Sequence, residues 1–226
     1  ATELAAQDLR RQILRLANAA EDAAIQILDG GLSVGETEIS LSRLKADENG
    51  VVLTGAGFFD PPATPLNEQG QGEPYGTYAF AAQLAVVEVD MDLGTTKVLR
   101  MVAAHDVGKA INPTLVEGQI HGGIAQGLGL ALMEEYLPGH TENLHDYLIP
   151  TVGDMPEIEV ILVEDPDPNG PYGAKGVGEP GLVPTAPAIL AAIKSATGVR
   201  LQMVPATPHR LREAILAQGV KRKEAE

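Results

Sequence analysis

Two segments combine residue types and spacings that suit chemistry. The first is VEGQIHGGIAQGLGLALMEEY, residues 116–136, which has helical periodicity yet carries Gly118, Gly122, Gly123, Gly127 and Gly129. An interior helical glycine costs about 0.8–1 kcal/mol against alanine, so five cost roughly 4–5 kcal/mol, a large share of a domain's stability. Something must approach this helix closely. Gly118, Gly122 and Gln126 fall at i, i+4 and i+8, on one face, with Gly129 next to them. That face is smooth except for one amide, which offers both donors and an acceptor. A ligand lying on the helix explains the pattern; so does tight packing against another element. The Gly-x-x-x-Gly spacing also occurs in membrane helix dimers, but Gln119, His121 and Gln126 do not suit lipid.

The second segment is the loop NGPYGAKGVGEPG, residues 169–181, where five of thirteen residues are glycine and two are proline. Glycine allows positive φ and lets backbone N–H groups come close to a ligand. Lys175 adds a positive charge, and Glu179 is the only carboxylate. Pro180 fixes its own φ and biases Glu179 towards an extended conformation. A carboxylate held in this way is placed for proton transfer. A surface loop with a solvated glutamate is the competing explanation.

Other constellations carry less. Gly176-Val-Gly178-Glu-Pro-Gly181 matches G-x-G-x-x-G, but a dinucleotide fingerprint should end a strand and open a helix. Eleven residues separate Glu164 from Gly176. Glu179 would place a negative charge near a pyrophosphate, and Pro180 would remove a needed donor, so the dinucleotide reading is rejected. No Walker sequence is present. His140, Glu142, His145 and Asp146 have no standard metal spacing. His105-Asp106 closes a strand and is expected to be a hydrogen-bonded structural pair. Ser33 and Ser195 lack a recognisable His–Asp motif.

Composition narrows the function classes. The 226 residues suit one or two domains. A net charge of −15 repels nucleic-acid phosphates and anionic membranes. The only basic run is Lys221, Arg222 and Lys223, a short solvated tail. The chain has no cysteine, so disulfides, cysteine-bound zinc, a thiolate nucleophile and iron–sulfur clusters have no place in it. Any redox chain must continue in another polypeptide. No apolar run reaches the ~20 residues of a membrane span, and the start, ATELAAQDLRRQ, has no signal-peptide apolar core.

These segments need elements to position them. Residues 3–28 read as one or two helices, with Leu4, Leu9, Ile13, Leu14 and Leu16 at helical spacing. Asp29-Gly30-Gly31 is a turn. Short strands and a small helix near Ser40–Lys45 fill 32–54, and 56–78 is a long irregular stretch. Residues 79–104 read as a hairpin about Asp92-Leu93-Gly94. A helix is expected over 114–137, a strand over 157–164, a glycine- and proline-rich loop over 165–184, and a final helix over 208–218. A helix over 185–197 is expected to start on Thr185 as N-cap and stop at Gly198. Strands and helices mix without regular βαβ alternation, so the fold class is α+β.

Taken together, the segments resemble the molybdenum-cofactor subunit of the xanthine dehydrogenase and aldehyde oxidoreductase family, the molybdenum hydroxylases. The matching pieces are PYGTYAFAAQLAVVEVD (74–90), HDVGKAINPTLVEGQIHGGIAQGLG (105–129), GAKGVGEPG (173–181) and PTAPAILAAIKSATG (184–198), in the family's order. AAQDLRRQIL (5–14) matches more loosely. The resemblance covers nearly the whole chain and implies the C-terminal portion of a molybdenum-cofactor-binding domain. Two subdomains are expected, about 1–110 and 111–226. By the same resemblance, Glu179 is the general base beside molybdenum and Gln126 contacts the pterin. Val177 and Gly178 line the cofactor pocket, with Lys175 in a supporting role.

The implied reaction hydroxylates an aldehyde or N-heteroaromatic carbon with oxygen from water. The implied cofactor is molybdopterin, as the cytosine dinucleotide, with molybdenum. Expected partners are the preceding portion of the molybdenum subunit and an iron–sulfur subunit; a further FAD chain is an open expectation. The implied setting is cytoplasmic. The family's subunit is much longer than 226 residues, so a fragment or a split subunit is expected, not a complete catalyst. The alternative is a non-catalytic assembly module, which the intact Glu179 disfavours.

Overall fold

The computed structural model describes residues 1–219, which form two compact units, Ala1–Gly76 and Thr77 onward. The basic run Lys221, Arg222 and Lys223 lies outside the described residues.

In the first unit, helix α1 spans Thr2–Ala17. It stops well short of residue 28 because Asn18 turns left-handed (φ 49°) and the Ala19 N–H returns to the Leu14 carbonyl at 3.0 Å. Ile25–Leu28 is instead a strand, β1. It pairs antiparallel with β2 (Gly31–Val34) across Asp29-Gly30, and β2 pairs with β3 (Thr37–Ser40). Gly30 has φ 72°, the positive value that a tight hairpin turn requires. A 3-10 turn at Leu41–Arg43 stands where the small helix was expected. Ile13, Leu14, Leu32 and Val34 form the unit's buried core.

The second unit is built on a three-stranded sheet in the order β4 (Ala81–Val89), β5 (Thr96–Asp106), β6 (Glu157–Val163). β4 and β5 form the expected hairpin, with Gly94 at φ 73° in its turn. β6 joins β5 in parallel, which requires the crossover through helix α2 (Pro113–Leu132). The division between units therefore falls at Gly76/Thr77 and not near residue 110. Sheet pairing keeps β4 and β5 with everything that follows them.

Helices α2, α3 (Thr185–Thr197) and α4 (Pro208–Gln218) supply the other side of the core. Val98, Met101 and Ala103 of β5 pack with Ile120, Ile124 and Leu128 of α2 and with Ile189 and Ile193 of α3. Asn112 caps α2 through its side-chain oxygen, which accepts the Leu115 N–H at 3.2 Å. The helix ends at Leu132, short of the expected 137, where the Met133 and Glu134 N–H groups both return to Gly129. The architecture is α+β, as expected.

Candidate cofactor site

The five glycines of α2 divide into two sets. Gly123, Gly127 and Gly129 are buried. A Cβ on Gly123 would stand 2.6 Å from the Gly181 carbonyl carbon, and one on Gly127 would stand 2.7 Å from Thr185 Cγ2. These glycines let the loop before α3, and the first turn of α3 itself, lie directly on α2. Gly129 leaves room for Glu134 and Pro150. The packing explanation therefore holds for this set. Gly118 and Gly122 are exposed, and a Cβ on either would meet no described atom within 4 Å. Gln126 is exposed on the same face. Packing among the described residues gives no reason for glycine at 118 and 122, so the cost of those two residues calls for a further surface.

The Glu179 loop is anchored at both ends. Upstream, Gly108 and Ala174 form an isolated β-bridge, the Lys175 N–H donates to the Val107 carbonyl at 3.0 Å, and the Lys109 N–H donates to the Gly173 carbonyl at 2.7 Å. Gly108 is needed twice over: its φ is +64°, and a Cβ would stand 2.7 Å from the Lys175 nitrogen. Lys175 does not reach out to solvent. Its ammonium pairs with Asp106 at 2.6 Å, and each side chain is only 8 % exposed. Burial alone would raise the Asp106 carboxyl, but hydrogen bonds from Lys175 and the Gly108 N–H overcome it and hold the group below its usual value. The bond to Asp106 raises Lys175 above its own usual value. Lys175 therefore fixes the loop.

Downstream, the Leu182 and Val183 N–H groups return to the Glu179 carbonyl at 2.9 and 3.3 Å. Thr185 does not act as N-cap. Pro184 takes that position, and the Thr185 hydroxyl instead reaches Gln83 on β4 and the Gly181 carbonyl. Between the anchors, Gly176, Gly178 and Glu179 are exposed, and Cβ atoms on the two glycines would again meet open space. Val177 is half-buried and lines a cleft of about 220 Å³ with Ile111, Leu115, Gln119 and Lys175. A larger cavity of about 280 Å³, beside Thr96 and Asp154, includes none of the residues expected to act.

His105 and Asp106 close β5 as expected, but they are not bonded to each other. His105 meets Gln83, and Asp106 meets Lys175. Among the described residues no group of three or more His, Asp or Glu side chains could hold a metal, so the 140–146 cluster forms no such site. No described helix is long and apolar enough to cross a membrane. Sequence reasoning missed Gln83. Its signal was an amide at an inward position of an otherwise apolar alternating strand.

The features present fit a flat, polar, hydrogen-bonding cofactor: an open glycine face, an exposed amide on it, and a loop of exposed backbone ending in a carboxylate. Comparison with known proteins points the same way. Residues 1–156 match the family model of the molybdopterin cofactor-binding domain. That match contains Gln126 and stops before the Glu179 loop. The aldehyde oxidoreductase of Megalodesulfovibrio gigas is 35% identical over 213 residues, 92% of this chain and 23% of that protein. The xanthine dehydrogenase molybdenum-binding subunit of Escherichia coli O157:H7 is 40% identical over 148 residues, 63% of this chain and 20% of that protein. The crystal structure of the aldehyde oxidoreductase from Desulfovibrio desulfuricans superposes with a TM-score of 0.70 at 38% identity, covering 74% of this chain and 18% of that one. The chain thus spans about a fifth of the length of the relatives it matches.

Proposed function

We propose, for a chain that belongs to the family of the molybdopterin cofactor-binding domain, that it forms one wall of a molybdenum-cofactor site and supplies the general base, Glu179, of a hydroxylation. When bound, the molybdenum cofactor supplies the two-electron redox chemistry and the activation of a water-derived oxygen. The protein's part is to bind, orient and move a proton. The Gln126 amide, projecting from the open face at Gly118 and Gly122, hydrogen-bonds the pterin. Glycine at those positions lets the ring system approach the helix backbone. The loop backbone at half-buried Val177 and exposed Gly178 lines the same pocket. Glu179 accepts the proton of the attacking water-derived group at its carboxylate. The Asp106–Lys175 pair keeps the loop from drifting.

The observation that carries this reading is the pair of unfilled glycines on α2 beside a doubly anchored loop whose one carboxylate is exposed. An aldehyde or N-heteroaromatic compound is the substrate class. The cytosine dinucleotide form of the pterin, an iron–sulfur partner, an FAD chain and a cytoplasmic setting belong to the same proposal. So does the remainder of the molybdenum subunit, since the chain spans only about a fifth of its relatives. The experiment is a pair of substitutions in the complex purified through this chain. Gln126→Ala is expected to lower molybdenum content. Glu179→Gln is expected to keep molybdenum and lose turnover. Loss of molybdenum in both, or in neither, contradicts the division of roles.

A further inference from the structure

We infer that Gln83 is a positioning residue for Glu179, acting through the Gly181 carbonyl; this rests on Glu179 being the base. Gln83 sits on β4 at a core-facing position, in line with Ala85, Val87 and Val89. An amide placed there must find partners. It finds three, all within one small node. Its nitrogen donates to the Gly181 carbonyl at 3.0 Å. The same nitrogen lies 3.2 Å from His105 Nε2. Its oxygen accepts the Thr185 hydroxyl at 2.8 Å.

The Gly181 carbonyl fixes which way round the amide stands. Flipped, the amide oxygen would face another oxygen with no hydrogen between them. The amide nitrogen must therefore also donate to His105, which makes His105 Nε2 an acceptor and places the ring hydrogen on Nδ1. His105 is fully buried, and its Nδ1 has no partner among the described residues. Burial lowers its pKa, in agreement with a neutral ring. Across the β4–β5 ladder His105 stands opposite Ala81, two residues from Gln83, so the two polar side chains are diagonal neighbours on one face.

Gly181 is two residues beyond Glu179 and is buried against Ile120 of α2. Its carbonyl lies inside the turn that closes on the Glu179 carbonyl. Only residues 176–180 separate this anchor from Lys175. The single hydrogen of the Thr185 hydroxyl is shared between Gln83 Oε1 at 2.8 Å and the Gly181 carbonyl at 3.1 Å; without the amide it passes wholly to Gly181, so the turn survives. What is lost is the bond from β4 that sets where the turn starts, and the turn starts at Glu179. Placement errors of about 1 Å at a reacting group cost on the order of 100-fold in rate.

The test is Gln83→Met, which keeps volume and removes both amide functions, in the complex purified through this chain. Backbone hydrogen exchange needs no substrate. Exchange at Leu182 and Val183 is expected to rise about tenfold or more, with Ile189 and Ile193 of α3 unchanged. Molybdenum content should match the unsubstituted complex. With whichever aldehyde or N-heteroaromatic probe the complex oxidises, kcat should fall roughly 10- to 100-fold while KM stays within about twofold. Unchanged exchange and unchanged kcat overturn the inference. If Glu179→Gln itself retains turnover, the base assignment fails, and raised exchange then leaves Gln83 as an anchor of the fold only. Should Gln83→Met fail to fold, Gln83→Leu, which also removes the amide and leaves the Thr185 hydroxyl beside the Gly181 carbonyl, is expected to give the same pattern, and unchanged exchange and kcat there overturn the inference equally.

Discussion

Substituting alanine at each glycine of α2 separates two kinds of necessity that the sequence alone could not distinguish. Gly118→Ala and Gly122→Ala add a methyl group to open space and remove a helix penalty of about 0.8–1 kcal/mol each. They are expected to raise the unfolding midpoint while lowering molybdenum content. Gly123→Ala and Gly127→Ala drive a methyl into Gly181 or Thr185 and are expected to destabilise by about 1–3 kcal/mol. Thermal unfolding beside metal analysis reads both outcomes; stable variants that retain full molybdenum at 118 and 122 would contradict the cofactor face. The five glycines and Gln126 were legible as a demand for close approach. Which glycines served packing was not, because that depends on where residues 181–185 cross the helix.

His105 and the Asp106–Lys175 pair give pH dependences of opposite reach. The folded pKa of His105 lies below its ordinary 6.5, so the unfolded chain binds more protons once pH falls under that value. Stability is then full above about pH 6.5 and declines as pH drops through the folded value. His105→Leu is expected to flatten this decline in an unfolding-midpoint titration. The Asp106 contribution is present above 3.8 and lost as pH falls through its lower folded value. The Lys175 contribution is present below 10.5 and lost as pH rises through its higher one. Between those limits hydrogen exchange at the Lys175 N–H should not vary through this pair, beyond the intrinsic pH dependence of exchange.

At the scale of elements, α2 is both a structural partner and a binding face. Its Ile120, Ile124 and Leu128 are essentially fully buried against β5 and α3. Ile124→Ala is expected to cost about 2–5 kcal/mol of stability by chemical denaturation; a loss under 1 kcal/mol would mean the face is not core. The limits of α3 were legible because Gly198 stops it in the left-handed conformation and the glycine- and proline-rich loop precedes it. Thr185 was misread as its cap because the sequence shows a hydroxyl at a helix start but not the carbonyl that competes for it. The reading of 3–28 as one or two helices has a similar origin: local spacing does not show that β2 captures Ile25–Leu28 as a strand. The parallel pairing of β6 with β5 joins residues more than fifty apart, a distance at which local periodicity is silent.

For the whole molecule, the chain covers about a fifth of its relatives, and its 226 residues hold no cysteine to ligate an iron–sulfur cluster. A net charge of −15 leaves nucleic acid an unfavourable partner. The family was legible from sequence because its motifs recur in order along the chain. The loop's two anchors were not, since Asp106 and Gln83 lie far from Lys175 and Gly181 in sequence and meet them only through the sheet.

The most direct measurement is turnover and molybdenum content of the complex carrying Glu179→Gln. A neutral amide of the same shape keeps the loop and the cofactor but cannot accept the proton. The expected result is molybdenum equal to that of the unsubstituted complex, with the rate lowered about 100-fold or more. Undiminished turnover at full molybdenum content would contradict Glu179 as the base.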